Sequence, residues 1–256
     1  MNNFIDIFRN PPLEWLAGLA GRTPGSMADG FIAVIAFIGA ILFALISHEY
    51  AHGYVAYRCG DPTAKVMGRL SFNPKKHLDP IGTLSMLIIG VGWAKPVPIN
   101  PVNFTGDYRR SIFLVSIAGV TVNIVQCFVY YGLYMGLVLL ATAIAPALQA
   151  STVLYFLMYA LIAYFMYGIS LNCGLFLFNL IPLYPLDGSR VFELIVGPHS
   201  KAAVFMRNYG RYILWGLILL GFIGIDILGA VIQGGGSIIL GGFGWFWEMI
   251  FGLFGV

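Results

Sequence analysis

Residues 111–186 read SIFLVSIAGVTVNIVQCFVYYGLYMGLVLLATAIAPALQASTVLYFLMYALIAYFMYGISLNCGLFLFNLIPLYPL, with no Asp, Glu, Lys, Arg or His. A helix needs about 20 mainly apolar residues to cross the hydrocarbon of a bilayer. The stretch is too long for one such helix and long enough for two. Pro146, Gln149 and Ser151 mark a turn between them, so spans are predicted over roughly 111–141 and 152–180. Upstream, FIAVIAFIGAILFALIS runs without a charge from Phe31 to Ser47 and predicts a span over about 30–55. Downstream, YILWGLILLGFIGI from Tyr212 predicts a fourth, over about 212–233. The tail over 238–256 is aromatic and Gly-rich and reads as a further hydrophobic segment or an interfacial belt.

Composition agrees. Of 256 residues, 59% are hydrophobic and 10% charged, against about 25% charged in an average soluble domain. The mean hydropathy is +0.85. Such a chain needs lipid as part of its solvent, and its length suits one integral-membrane domain over 1–256. The expected fold is all-α and polytopic, with at least four spans and short membrane-associated hairpin or re-entrant segments. Ile81–Ala94 is Gly-rich and short, so it is expected as such a hairpin, with Gly90 and Gly92 allowing the bend. Phe4–Leu19 is expected to lie along the membrane surface. Asp6, Glu14, Pro11 and Pro12 make it a poor signal peptide. Cys59, Cys127 and Cys173 are scattered and read as packing residues. The net charge of +3 comes with no basic block, which argues against a nucleic-acid partner.

Lys and Arg cluster between the first two spans (Arg58, Lys65, Arg69, Lys75, Lys76, Lys95, Arg109, Arg110) and after the third (Arg190, Lys201, Arg207, Arg211). The positive-inside tendency places 58–110 and 190–211 in the cytoplasm and the N-terminus outside. On this topology His48, Glu49 and His52 lie near the cytoplasmic end of span one, and Asp187 near that of span three. Ionisable groups at membrane depth are costly unless paired, hydrated or bound to metal. One shared site accounts for both sets.

HEYAH at 48–52 puts two imidazoles one turn apart on one helix face. Such a pair binds one Zn²⁺, with Glu49 at a different azimuth as general base. A catalytic zinc commonly has three protein ligands. Asp187, in NLIPLYPLDGSR at 179–190, is the candidate third. Pro182 and Pro185 prevent a regular helix before it, and Gly188 is expected to allow a turn after it.

HEYAH and NLIPLYPLDG together resemble the site-2 protease family of intramembrane zinc metalloproteases. GDPTAKVMGRLSFNPKKHLDPIGTL at 60–84 and GWAKPVPINPVNF at 92–104 add to the likeness, which runs from about residue 40 to 215. The resemblance implies hydrolysis of peptide bonds in or near a transmembrane segment of another membrane protein. It implies one zinc per chain, held by His48, His52 and Asp187, with Glu49 as base, in a multi-pass plasma-membrane protein. A family Gly-Pro-x-x-Asn motif corresponds here to GVTVN, Gly119 to Asn123, with Val120 in place of the proline. Asn123 is therefore either a residue near the site or an interhelical hydrogen bonder. Asn179 is either site-lining, by the family pattern, or a loop-ordering amide. With no room for a PDZ or CBS domain, the chain resembles the minimal prokaryotic members.

Other readings of the same residues are a membrane metal transporter and a non-catalytic metal-binding scaffold. No internal repeat supports a transporter, and the ligands and base stand together, which a scaffold does not need. His77 and Asp79, beside Lys75 and Lys76, are expected at the surface or among lipid headgroups. His199 and Glu193 are expected to be solvated or paired. The hairpin over 81–94 is expected to hold extended substrate by strand addition.

Overall fold

In the computed structural model residues 12–82, 85 and 94–253 are described. The predicted hairpin over 81–94 lies almost wholly outside them. So do residues 4–11 of the predicted surface segment.

Ser26 and Asp29 start the first long helix. The Ser26 hydroxyl accepts from the Asp29 amide (3.1 Å), and Asp29 Oδ2 accepts from the Ser26 amide (3.0 Å). This reciprocal cap satisfies two amides that a helix start leaves unpaired. After the short α1 (Pro12–Leu19), the capped helix α2 runs from Met27 to Arg58. Gly60, at φ +105°, turns the chain out of it. A single turn, α3 (Thr63–Val66), opens a loop region that lasts to Asp107. Asp107 then caps α4 (Tyr108–Ala143) by accepting from the Arg110 amide (3.1 Å). The short α5 (Ala145–Ala150) makes the predicted turn, and α6 (Thr152–Leu180) follows. Next come α7 (Asp187–Val196), α8 (Lys201–Phe222) and α9 (Ile227–Leu253). Among the described residues the regular structure is helical, with one isolated antiparallel bridge between Leu78 and Ala94.

Four helices are long and apolar enough to cross a membrane: α2, α4, α6 and α9. The first three coincide with predicted spans. The stretch predicted as a fourth span, 212–233, is divided between α8 and α9. Gly224, at φ +93°, sits in the break. Lys201, Arg207 and Arg211 charge the first half of α8, so only its second half is apolar. The membrane-length helix is α9, which takes in most of the hydrophobic tail.

The chain forms two compact units: 1–41 with 124–174 and 229–256, and 42–123 with 175–228. The first has a core of Leu13, Leu16, Tyr155, Ile162 and Met166, all buried. Cys127 and Cys173 are fully buried in it, as packing residues would be. The second unit holds the candidate site. Its apolar cluster of Leu183, Leu186 and Leu214 packs the Pro182–Pro185 turn against α8. Gly210 lets α8 approach so closely that a Cβ there would lie 2.7 Å from the Tyr184 backbone nitrogen.

Candidate metal centre

Because α2 is continuous through residues 48–52, the four-residue spacing places both imidazoles on one face. Both are buried, at 7% exposure. Asp187 is the first residue of α7, released from α6 by the proline turn. The three side chains converge. His48 Nε2 and His52 Nε2 are 3.1 Å apart, and Asp187 Oδ2 is 3.2 Å from the first and 3.1 Å from the second.

The other ring nitrogens explain which atoms converge. His48 Nδ1 lies 2.6 Å from Asn123 Oδ1, and His52 Nδ1 lies 2.7 Å from the Val115 carbonyl. Both oxygens only accept, so each Nδ1 carries the proton and donates. Each Nε2 then presents a lone pair, and Asp187 adds a carboxylate oxygen. Three electron-rich atoms at 3.1–3.2 Å repel one another unless a cation sits between them. A tetrahedral zinc with bonds of about 2.0–2.1 Å would set its donors about 3.3 Å apart, so the donor set and spacing fit that ion. These three residues form a group able to hold a metal.

Two glycines act by close approach. A Cβ on Gly119 would lie 2.5 Å from His48 Cε1 and 2.6 Å from His48 Nδ1, and closer still to His52 Nε2. No other residue leaves room for both rings. Gly188 does not make the expected turn. It is the second residue of α7, and a Cβ there would press on the carbonyls of Leu180 and Ile181.

Glu49 points elsewhere than the histidines, and its Oε2 accepts from the Val97 amide (2.8 Å). The loop that carries Val97 is fastened at several points. The Arg69 guanidinium donates to the carbonyls of Lys95 (2.7 Å) and Pro96 (3.1 Å). The Lys95 amide donates to the His77 carbonyl (2.7 Å), and His77 Nε2 donates to the Ser71 carbonyl (2.7 Å). His77 is thus buried, at 1% exposure, and not the surface residue expected. Its neighbouring lysines are exposed, but its ring and carbonyl tie two loops together. Asp79 accepts from the Gly82 amide (2.8 Å).

Asp61 fastens the far end of the same loop. Its carboxylate accepts from the amides of Thr63 (3.1 Å) and Asn100 (2.7 Å), the Asn103 side chain (2.8 Å) and the Thr63 hydroxyl. Asp61 did not stand out in the sequence, although Gly60-Asp61-Pro62-Thr63 is a turn signature that could have flagged it. The Val115 carbonyl is backbone, and no residue type announces it. Gly119 stood out only as the start of GVTVN; its packing role could have been read from its being an isolated glycine inside a helical stretch, which costs about 1 kcal/mol against alanine and often has a packing reason. Asn123 is brought to His48. Asn179 Nδ2 donates to the Leu175 carbonyl of its own helix (3.1 Å).

The profile of peptidase family M50, the site-2 protease family, matches residues 36–221. The chain belongs to this family. It is similar to YwhC of Bacillus subtilis (strain 168), a proposed zinc metalloprotease, at 38% identity over 70% of this chain and 83% of the relative. It is also similar to Rip2 of Mycobacterium tuberculosis, likewise a proposed zinc metalloprotease, at 31% identity over 75% of this chain and 68% of the relative. No solved structure matches the chain. Membership in M50 and the four apolar helices make this a multi-pass intramembrane metallopeptidase of the site-2 type.

Proposed function

We propose that His48, His52 and Asp187 hold one Zn²⁺, that Glu49 is the general base, and that the chain acts as a single membrane domain over 1–256. The observation that carries this reading is the triangle of three lone-pair atoms at 3.1–3.2 Å. Its substrate is another membrane protein, cut in or near a transmembrane segment. The site faces the cytoplasm of a plasma-membrane protein, as the Lys and Arg of 58–110 and 190–211 support.

When bound, zinc supplies Lewis acidity toward a carbonyl and lowers the pKa of water to about 7. The protein's residues do the rest. Asn123 and Val115 hold the Nδ1 protons of His48 and His52, which fixes the tautomer and ring orientation. Val97 donates to Glu49 Oε2, which leaves Oε1 to take a proton from the attacking water and pass it to the leaving amine. The irregular backbone of the Pro182–Pro185 turn is tolerable at membrane depth because it is packed against protein, through Leu183, Leu186 and Leu214.

Purified wild type and Glu49→Gln, compared in detergent for metal content and for cleavage of single-span proteins, test the assignment. Both should hold about one zinc, as three ligands imply, and only wild type should cleave. Cleavage by Glu49→Gln at the wild-type rate would remove Glu49 as base. A folded wild type that holds no metal would overturn the centre itself.

A further inference from the structure

Beyond the metal centre the second unit contains a cavity of about 600 Å³, within the range of ligand sites. Three guanidinium groups line it, from three elements: Arg109 in the first turn of α4, Arg190 in α7 and Arg207 in α8. One carboxylate, Glu193, also lines it and pairs with Arg207 Nε (3.2 Å). Three cations against one anion leave the lining at a formal +2.

Two of the arginines are held in place by backbone. Arg109 Nη2 donates to the Leu194 carbonyl (2.8 Å), and Arg207 Nη2 to the Pro198 carbonyl (2.6 Å). Each keeps further N–H donors. Arg190 is exposed, and no partner for it occurs among the described residues. The apolar Ile112 and Leu194 and the rings of Tyr108 and Tyr184 also line it. The lining therefore combines cationic groups with apolar and aromatic surface.

We propose that this cavity binds a phosphate-bearing anion, supplied in the membrane by an anionic phospholipid headgroup. A phosphodiester offers more acceptor oxygens than a carboxylate and suits guanidinium groups arriving from several directions. Arg109 and Tyr108 open a helix of membrane-crossing length, so they stand at the headgroup level, where basic pockets between spans take anionic lipids. The apolar surface of Ile112, Leu194 and the tyrosines suits the glycerol and first acyl carbons. The occupant would bridge α4, α7 and α8. Since α7 begins at Asp187, it would brace the element that carries the carboxylate of the metal centre.

The test measures binding and needs no proteolysis. Metal-loaded wild type in a neutral detergent is given phosphatidylglycerol, phosphatidylcholine or inorganic phosphate, with bound lipid read by native mass spectrometry and Tm by thermal shift. The variants are Arg190→Gln, Arg190→Lys, and Lys75→Gln as an exposed cation outside the cavity. Phosphatidylglycerol should be retained over phosphatidylcholine and raise Tm. Arg190→Gln should weaken it about tenfold, the loss of one charged hydrogen bond, with Arg190→Lys intermediate and Lys75→Gln unchanged. Inorganic phosphate that raises Tm with the same Arg190 dependence supports the site and identifies free phosphate as a source. Equal retention of both lipids together with no effect of phosphate overturns the proposal, as does Arg190→Gln behaving like Lys75→Gln. An acidic peptide that binds through Arg190 when lipid and phosphate do not would also overturn it, assigning the cavity to substrate.

Discussion

Single atoms decide the metal centre. Two histidines at i and i+4 would share a face in any helix, but the Nδ1 acceptors determine that both present Nε2 inward. Asn123→Ala removes the acceptor for His48, and such partners are typically worth 10–100-fold in metal affinity or activity. Titration with a competing chelator should show a loss in that range, with Asn123→Asp, which keeps an acceptor oxygen, losing less. Gly119→Ala should be more severe, because its methyl would occupy the space of both rings. Zinc content after purification should fall well below one per chain. Gly174→Ala, where a Cβ meets nothing within 4 Å, should keep its metal. A Gly119→Ala protein with full zinc content would show that the rings can yield, against the close packing described.

Among elements, the loop over 94–105 matters as much as the helices. It carries the Val97 amide to Glu49 and is tied down by Arg69, His77 and Asp61. Burial pushes the Asp61 carboxyl up, but the bonds from Thr63, Asn103 and Asn100 outweigh it, and the group sits below its ordinary value. A depressed acid stabilises the fold fully above its unfolded pKa of about 3.9. That contribution is lost as pH falls through the lower folded value. The loop tie is therefore intact at neutral pH and weakens only in acid, below about pH 4. Limited pepsin digestion from pH 5 downward should show cleavage within 94–105 setting in only there. Asp61→Ala should be cut across the whole range. It should also lose turnover at neutral pH while keeping its zinc, since Glu49 loses its brace and the ligands do not.

For the molecule as a whole, orientation is the property on which the proposed cytoplasmic site depends. The segment 58–110 carries eight Lys and Arg residues, and the turn around Gln149 carries none. In a Cys59→Ser background, Lys65→Cys should react with an impermeant thiol reagent only after the cells are opened. Gln149→Cys should react on intact cells. The reverse pattern would place the metal centre on the outer side.

Much of this protein could be read without coordinates. Uncharged runs around charged loops determined an all-α polytopic fold, because a chain with so few polar groups must bury helices in lipid. HEYAH and Leu-Asp-Gly, in one sequence, determined the family and the candidate ligands. The stretch predicted as a fourth span falls on two helices, because a hydropathy run does not show where Gly224 breaks it. His77 was misread because charge in its neighbours says nothing of where its own ring points. Only tertiary structure brought Asp187 to His52, 135 residues away, and to His48 beside it. It alone chose Asn123 and Val115 as their acceptors, set Gly119 beneath them and delivered Val97 to Glu49. Spans and motifs are local in the chain and leave a pattern in it, whereas these contacts join distant residues through backbone groups and empty space, which no single residue type records.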